Sequence, residues 1–122
     1  LALKGKKHVV GFRFAWAGLK TVVKKESNFQ LHLTATALVV AAGFFFHLSL
    51  IEWAVILLTI GLVLITEMIN SVIERIMDFT QPGYDERIKE IKDIAAGVVL
   101  VTAIISVVVG VLVFGPKIMQ LL

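Results

Sequence analysis

Three apolar stretches, each about as long as a bilayer is thick, leave this 122-residue chain few ways to fold. They cover about residues 29–46, 51–72 and 94–114. A helix rises about 1.5 Å per residue, so roughly 20 residues cross a hydrocarbon core of about 30 Å. Backbone N–H and C=O groups in hydrocarbon must satisfy one another, and a helix does this within one segment. Hydrophobic residues make up 58% of the chain and charged residues 17%, more apolar surface than a soluble fold of this length could bury. The expected class is an all-α integral membrane protein forming one domain over residues 1–122.

The basic residues orient it. Lys4, Lys6, Lys7, Arg13, Lys20, Lys24 and Lys25 precede the first span. Arg75, Arg87, Lys89 and Lys92 flank the polar stretch before the third, and only Lys117 lies elsewhere. The Lys/Arg bias puts the N-terminus and the 79–93 loop in the cytoplasm, with the 47–51 turn and the C-terminus outside. Beside apolar spans, the basic N-terminus reads as a juxtamembrane feature rather than a nucleic-acid surface. The expected location is a bacterial cytoplasmic membrane, crossed several times. No cleavable signal peptide is evident, and a first residue other than Met leaves room for residues ahead of Leu1.

Before the first span, Phe12, Trp16, Leu19 and Val23 recur at helical spacing, with Lys6, Arg13, Lys20 and Lys24 on another face. This predicts an amphipathic helix over about residues 6–25, lying in the membrane interface. Pro82-Gly83 predicts a break between the second and third spans, and Gly115-Pro116 an end to the third. Without cysteine, disulfides, thiolate metal sites and Cys nucleophiles are excluded.

The chemistry concentrates on the second span. Glu67, Asn70, Ser71, Glu74 and Asp78 follow i, i+3, i+4, i+7 and i+11, one polar stripe on an apolar helix. Carboxylates in a span are costly and mark function by default. Glu67 lies 16 residues after Ile51, about 24 Å along the helix and near the cytoplasmic boundary. Glu26 precedes the first span at the same level, and Lys92 and Asp93 precede the third. Carboxylates with a lysine at that depth suit Mg²⁺ and phosphate oxygens, and a further carboxylate can take a proton from an alcohol. No phosphate-binding loop, Gly-x-Gly-x-x-Gly or His-Glu-x-x-His motif occurs.

The run Glu67-Met68-Ile69-Asn70-Ser71-Val72-Ile73-Glu74, then Asp78 and Lys92-Asp93, resembles the signature of the prokaryotic diacylglycerol kinase family. Glu26-Ser27-Asn28-Phe29-Gln30-Leu31-His32 and Ile51-Glu52-Trp53 resemble its Gram-positive branch, the undecaprenol kinases. The resemblance implies a homotrimer with active sites between subunits, transferring the γ-phosphate of MgATP to a membrane lipid alcohol. It implies that Glu67 is the general base and that Glu26 and Glu74 bind the metal. It places Lys7, Asn70, Tyr84, Asp85, Lys92 and Asp93 around the nucleotide, and Asn28, Phe29, Gln30 and His32 at the lipid entrance. Undecaprenol is the expected acceptor and diacylglycerol the alternative. A small multidrug-type transporter needs an ionisable group near a span centre, and Val39, Ile60 and Ile104 stand there instead. A non-catalytic membrane subunit leaves the carboxylate stripe without a purpose.

Overall fold

One residue separates the first two helices. In the computed structural model, which describes residues 7–122 with side chains from Gly11 onward, α1 spans Lys7–Lys25 and α2 spans Ser27–Phe45. Glu26 between them is extended, with φ −101° and ψ 106°. The carbonyls at the end of α1 would lack partners at such a corner. Gln30 of α2 reaches back and donates from Nε2 to the carbonyls of Val23 at 2.9 Å and Lys24 at 3.2 Å. The corner is thereby fixed, and the Glu26 side chain is turned toward the third helix. Phe12, Trp16, Leu19 and Val23 of α1 are all exposed, so the helix keeps an apolar face that the described residues leave uncovered.

The turn after α2 is set by local backbone chemistry. His47 adopts a left-handed φ of 54°. Its N–H bonds the carbonyl of Phe44, and that of Leu48 bonds the carbonyl of Gly43, the pattern of a Schellman cap. Ser49 then caps α3, Leu50–Thr80, in a reciprocal capping box with Glu52. Across this turn Trp53 lies on Gly43. A Cβ at Gly43 would meet the Trp53 ring at 2.6 and 2.9 Å and Leu48 at 3.1 Å. Gly43→Ala is therefore expected to destabilise the fold by about 1–3 kcal/mol, the usual cost of overpacking a rigid contact. Denaturation in micelles, followed by indole fluorescence, checks this, and an unchanged midpoint would contradict the close approach.

The last helix, α4, covers Glu86–Leu121 and packs antiparallel along α3, while α2 makes lighter contact with α3. Three helices, α2, α3 and α4, are long and apolar enough to cross a membrane. At 31 and 36 residues, α3 and α4 run to roughly 46 and 54 Å, longer than the hydrocarbon core. The surplus of α3 lies at the loop end, where the charged residues sit, and that of α4 is divided between its two ends.

Two boundaries differ from the sequence expectation. Residues 79–93 do not form a loop. The break is confined to residues 81–85, because Asp85 caps α4 by accepting from the Arg87 N–H at 2.8 Å. The charged run after it is helical, with Lys89 and Asp93 paired one turn apart at 2.6 Å. Nor does Gly115-Pro116 end the last helix, which continues to Leu121. A proline costs its helix one hydrogen bond and fits the helical φ. Beyond it, Lys117 reaches Glu52 at the start of α3 at 3.1 Å, holding the two helix ends together.

Few residues are buried, and they are not mainly apolar. Phe29, Leu48, Ile56, Val63 and Ala95 share the described interior with Thr66, Glu67, Asn70, Ser71 and Thr102. The polar members gather in the loop-end half of the α3–α4 contact. There the hydroxyls of Thr66 and Thr102 meet at 3.0 Å.

Candidate functional site

The helical period of α3 builds the site. Glu67, Asn70, Ser71, Glu74 and Asp78 rise along one face over about 16 Å. Burial falls along this ladder. Glu67, Asn70 and Ser71 are 3%, 7% and 2% exposed, whereas Glu74 and Asp78 are open. Each rung meets a different partner.

At the deep end, Glu67 Oε1 lies 3.6 Å from Nε2 of His32 on α2. One turn on, Asn70 donates from Nδ2 to Glu74 at 3.3 Å, which orients that exposed carboxylate. Among the described residues, the buried Asn70 Oδ1 has no hydrogen-bond partner. Such an acceptor is expensive to leave empty, and a substrate donor would satisfy it. On the neighbouring line of the helix, the Ser71 hydroxyl donates to Glu26 at 3.0 Å, and Arg75 donates to its other oxygen at 2.7 Å.

Glu26 is thus anchored to the same turn of α3 that carries Glu74. Hydrogen bonds from Arg75 and then Ser71 hold its carboxyl below the ordinary glutamate value of 4.5. A depressed value means that the folded state favours the charged form. The tie between the α1–α2 corner and α3 is therefore fully present above pH 4.5 and is lost as pH falls through the folded value. Amide protection factors for residues 22–30 in micelles should hold near neutral pH and fall on acidification, with Arg75→Leu showing the loss already at neutral pH. Constant protection in both cases would show that the pair holds nothing.

A second neighbourhood lies beyond the ladder. Asp78, Tyr84, Asp85, Lys92 and Asp93 line one open cleft around the α3–α4 loop. Lys92 crosses from α4 to Asp78 at 2.5 Å. Asp85 pairs with Arg87 at 3.2 Å, and the Arg87 side chain keeps its carboxyl depressed. Tyr84 stands 78% exposed.

The sequence-derived candidates therefore fall into recognisable places. Glu67, Asn70, Glu74, Glu26 and His32 surround two turns of α3, and Tyr84, Asp85, Lys92 and Asp93 share the loop cleft. Phe29 is buried, while Asn28 and Gln30 are exposed, with Gln30 engaged on the end of α1. The Lys7 side chain lies outside the described residues. Arg75 enters the sequence reading only as an orienting charge, which misses its place beside Glu26. It sits four residues after Ser71 on the same face, which was the available signal.

Among the described residues no three His, Asp or Glu side chains converge as a metal cage. Mg²⁺ needs no such cage, because it is held by one or two carboxylates together with substrate phosphates. Glu26 and Glu74, fixed through Ser71 and Asn70 on one turn, fit that donor chemistry.

The family described as prokaryotic diacylglycerol kinase matches residues 13–114. An undecaprenol kinase of Bacillus subtilis is 40% identical over 106 residues, covering 87% of this chain and 86% of that protein. A diacylglycerol kinase of Synechocystis is 38% identical over 93% of this chain and 66% of its own length. The diacylglycerol kinase of Escherichia coli K12 is 27% identical over 78% of each chain.

Proposed function

The chain belongs to the prokaryotic diacylglycerol kinase family, and from that premise we propose that it transfers the γ-phosphate of ATP to undecaprenol at the cytoplasmic face of a bacterial membrane. It is a lipid kinase. The observation that carries the reading is Glu67: a carboxylate only 3% exposed at the level where hydrocarbon gives way to charge. Below it runs an apolar groove between α2, α3 and α4, with His32 at one end and Phe114 at the other. Above it stand Asn70, Glu74, Asp78 and Lys92. A lipid alcohol rising along the groove meets its base first and the phosphate-binding groups next.

Phosphoryl transfer depends on position and charge neutralisation more than on covalent help from the protein. Glu67 takes the proton of the attacking hydroxyl. Lys92 contacts the phosphates, with Asn70, Tyr84, Asp85 and Asp93 around the nucleotide and Lys7 on its α1 side. Glu26 and Glu74 would hold Mg²⁺ bound with ATP, and the ion would offset charge on the phosphates. Asn28, Phe29, Gln30 and His32 flank the lipid entrance. The exposed apolar face of α1 lies in the interface beside this entrance. Three copies form the working enzyme, a reading supported by the family resemblance. The Lys/Arg bias supports a cytoplasmic N-terminus and an external C-terminus.

Diacylglycerol is the alternative acceptor, since relatives in the same family bear that name. The test is transfer from radiolabelled ATP in mixed micelles, with the two lipids in parallel. Label in undecaprenyl phosphate, with little in phosphatidic acid, supports the proposal. The reverse keeps the chemistry and changes the acceptor. No transfer from folded protein to either lipid refutes the kinase reading.

A further inference from the structure

Each turnover leaves a proton behind. The lipid O–H bond breaks, an O–P bond forms to the γ-phosphorus, and the bond from that phosphorus to ADP breaks. The hydroxyl proton ends on the Glu67 carboxylate and must leave before the next alcohol can be deprotonated. The Glu67 side chain is only 4% exposed, so water has almost no direct access to it. We propose that His32 is the exit: its Nε2 accepts the proton from Glu67, and its ring passes it to water at the interface.

The inference rests on the reading of Glu67 as base, and the geometry supplies the rest. Among the described residues, His32 is the one polar side chain recorded against the Glu67 carboxylate, at 3.6 Å from Oε1. The separation is that of close neighbours, and the transfer requires the two side chains to approach to hydrogen-bond length. The His32 side chain is 22% exposed, so one side of the imidazole faces the closed carboxylate and another is left uncovered by this chain. No side-chain hydrogen bond is recorded for either ring nitrogen among the described residues, so both can exchange protons. The ring also stands at the head of the apolar groove, where the hydroxyl must arrive.

Competing exits are taken or distant. On α3, Arg75 is committed to Glu26 and Glu74 is held by Asn70. Among the described residues, the ion pair at Glu67 is with His32, and Lys24 and Lys25 at the end of α1 pair with neither. On α4, Thr102 lies opposite Thr66 at this level, and the charged pairs Lys92–Asp78 and Lys89–Asp93 sit more than two turns further along. Imidazole is also the side chain suited to accept and release a proton near neutral pH.

The experiment compares kcat and KM for lipid against pH for the full chain in micelles, as wild type, His32→Ala, His32→Gln and Glu67→Gln. His32→Ala is expected to lose on the order of 10²-fold in kcat near neutral pH. The loss in kcat should exceed any rise in lipid KM, activity should climb with pH as hydroxide replaces the relay, and added imidazole should restore turnover. His32→Gln keeps the size of the side chain but cannot carry a proton. It should show the same loss and the same pH climb, without imidazole rescue, which separates relay from packing. A raised lipid KM with unchanged kcat overturns the proposal in favour of a lipid contact alone. A lost kcat with a flat pH profile and no imidazole rescue overturns it in favour of a structural role. Full activity in Glu67→Gln is a different failure, because it removes the base itself.

Discussion

Glu67→Gln is expected to lower kcat by about 10²–10⁴-fold and to leave MgATP binding nearly intact, because general-base catalysis is what the substitution removes. The amide keeps the volume of the side chain and costs less to bury than a carboxylate. The variant should therefore fold and insert as well as wild type. Phosphoryl transfer in micelles gives the rate, and titration with labelled nucleotide gives the binding. Wild-type turnover in folded Glu67→Gln protein would remove this residue from the chemistry. Loss of nucleotide binding alongside activity would move its role toward the phosphates.

Glu74→Ala comes second in expected effect. A group that holds a phosphate-bound cation contributes several kcal/mol to transition-state stabilisation, so the loss should be on the order of 10³-fold in kcat/KM. Asn70 offers a graded comparison, because it holds the Glu74 carboxylate at 3.3 Å rather than the metal. Asn70→Ala should weaken apparent Mg²⁺ affinity by about 10–100-fold, the usual cost of an outer partner. Excess Mg²⁺ should restore much of the Asn70→Ala activity and little of the Glu74→Ala activity. Equal losses with equal rescue would show that Glu74 is not a ligand.

The membrane class of this fold could be read from runs of apolar residues, and the carboxylate ladder from helical period. Both are local properties: a stripe at Glu67, Asn70, Ser71, Glu74 and Asp78 is dictated by 3.6 residues per turn once the helix exists. The partners across helices could not be read this way. Nothing in the sequence around Glu26 names Arg75, 49 residues later, and nothing around His32 selects Glu67. Those pairings arise from how α2 leans on α3, which periodicity does not encode. Helix ends failed for a related reason. Hydropathy marks where hydrocarbon begins, whereas the helices continue into water on capping and ion pairs such as Asp85 with Arg87 and Lys89 with Asp93. Pro116 misled because a proline with its nearest intact turns on both sides costs a bond without stopping a helix.

The half-polar interior gives this protein an inverted relation between durability and purpose. A water-soluble enzyme is commonly toughened by exchanging inward polar groups for oily ones, leaving the working cleft alone. Here oil already surrounds the chain, and the side chains turned inward include Glu67 and Asn70, which the proposed reaction uses. Such an exchange would erase the catalyst while making the helices more comfortable. A sturdier version has to be sought at the periphery, in the His47 turn or the Lys117–Glu52 clasp, where the tightening of joints leaves the machinery untouched.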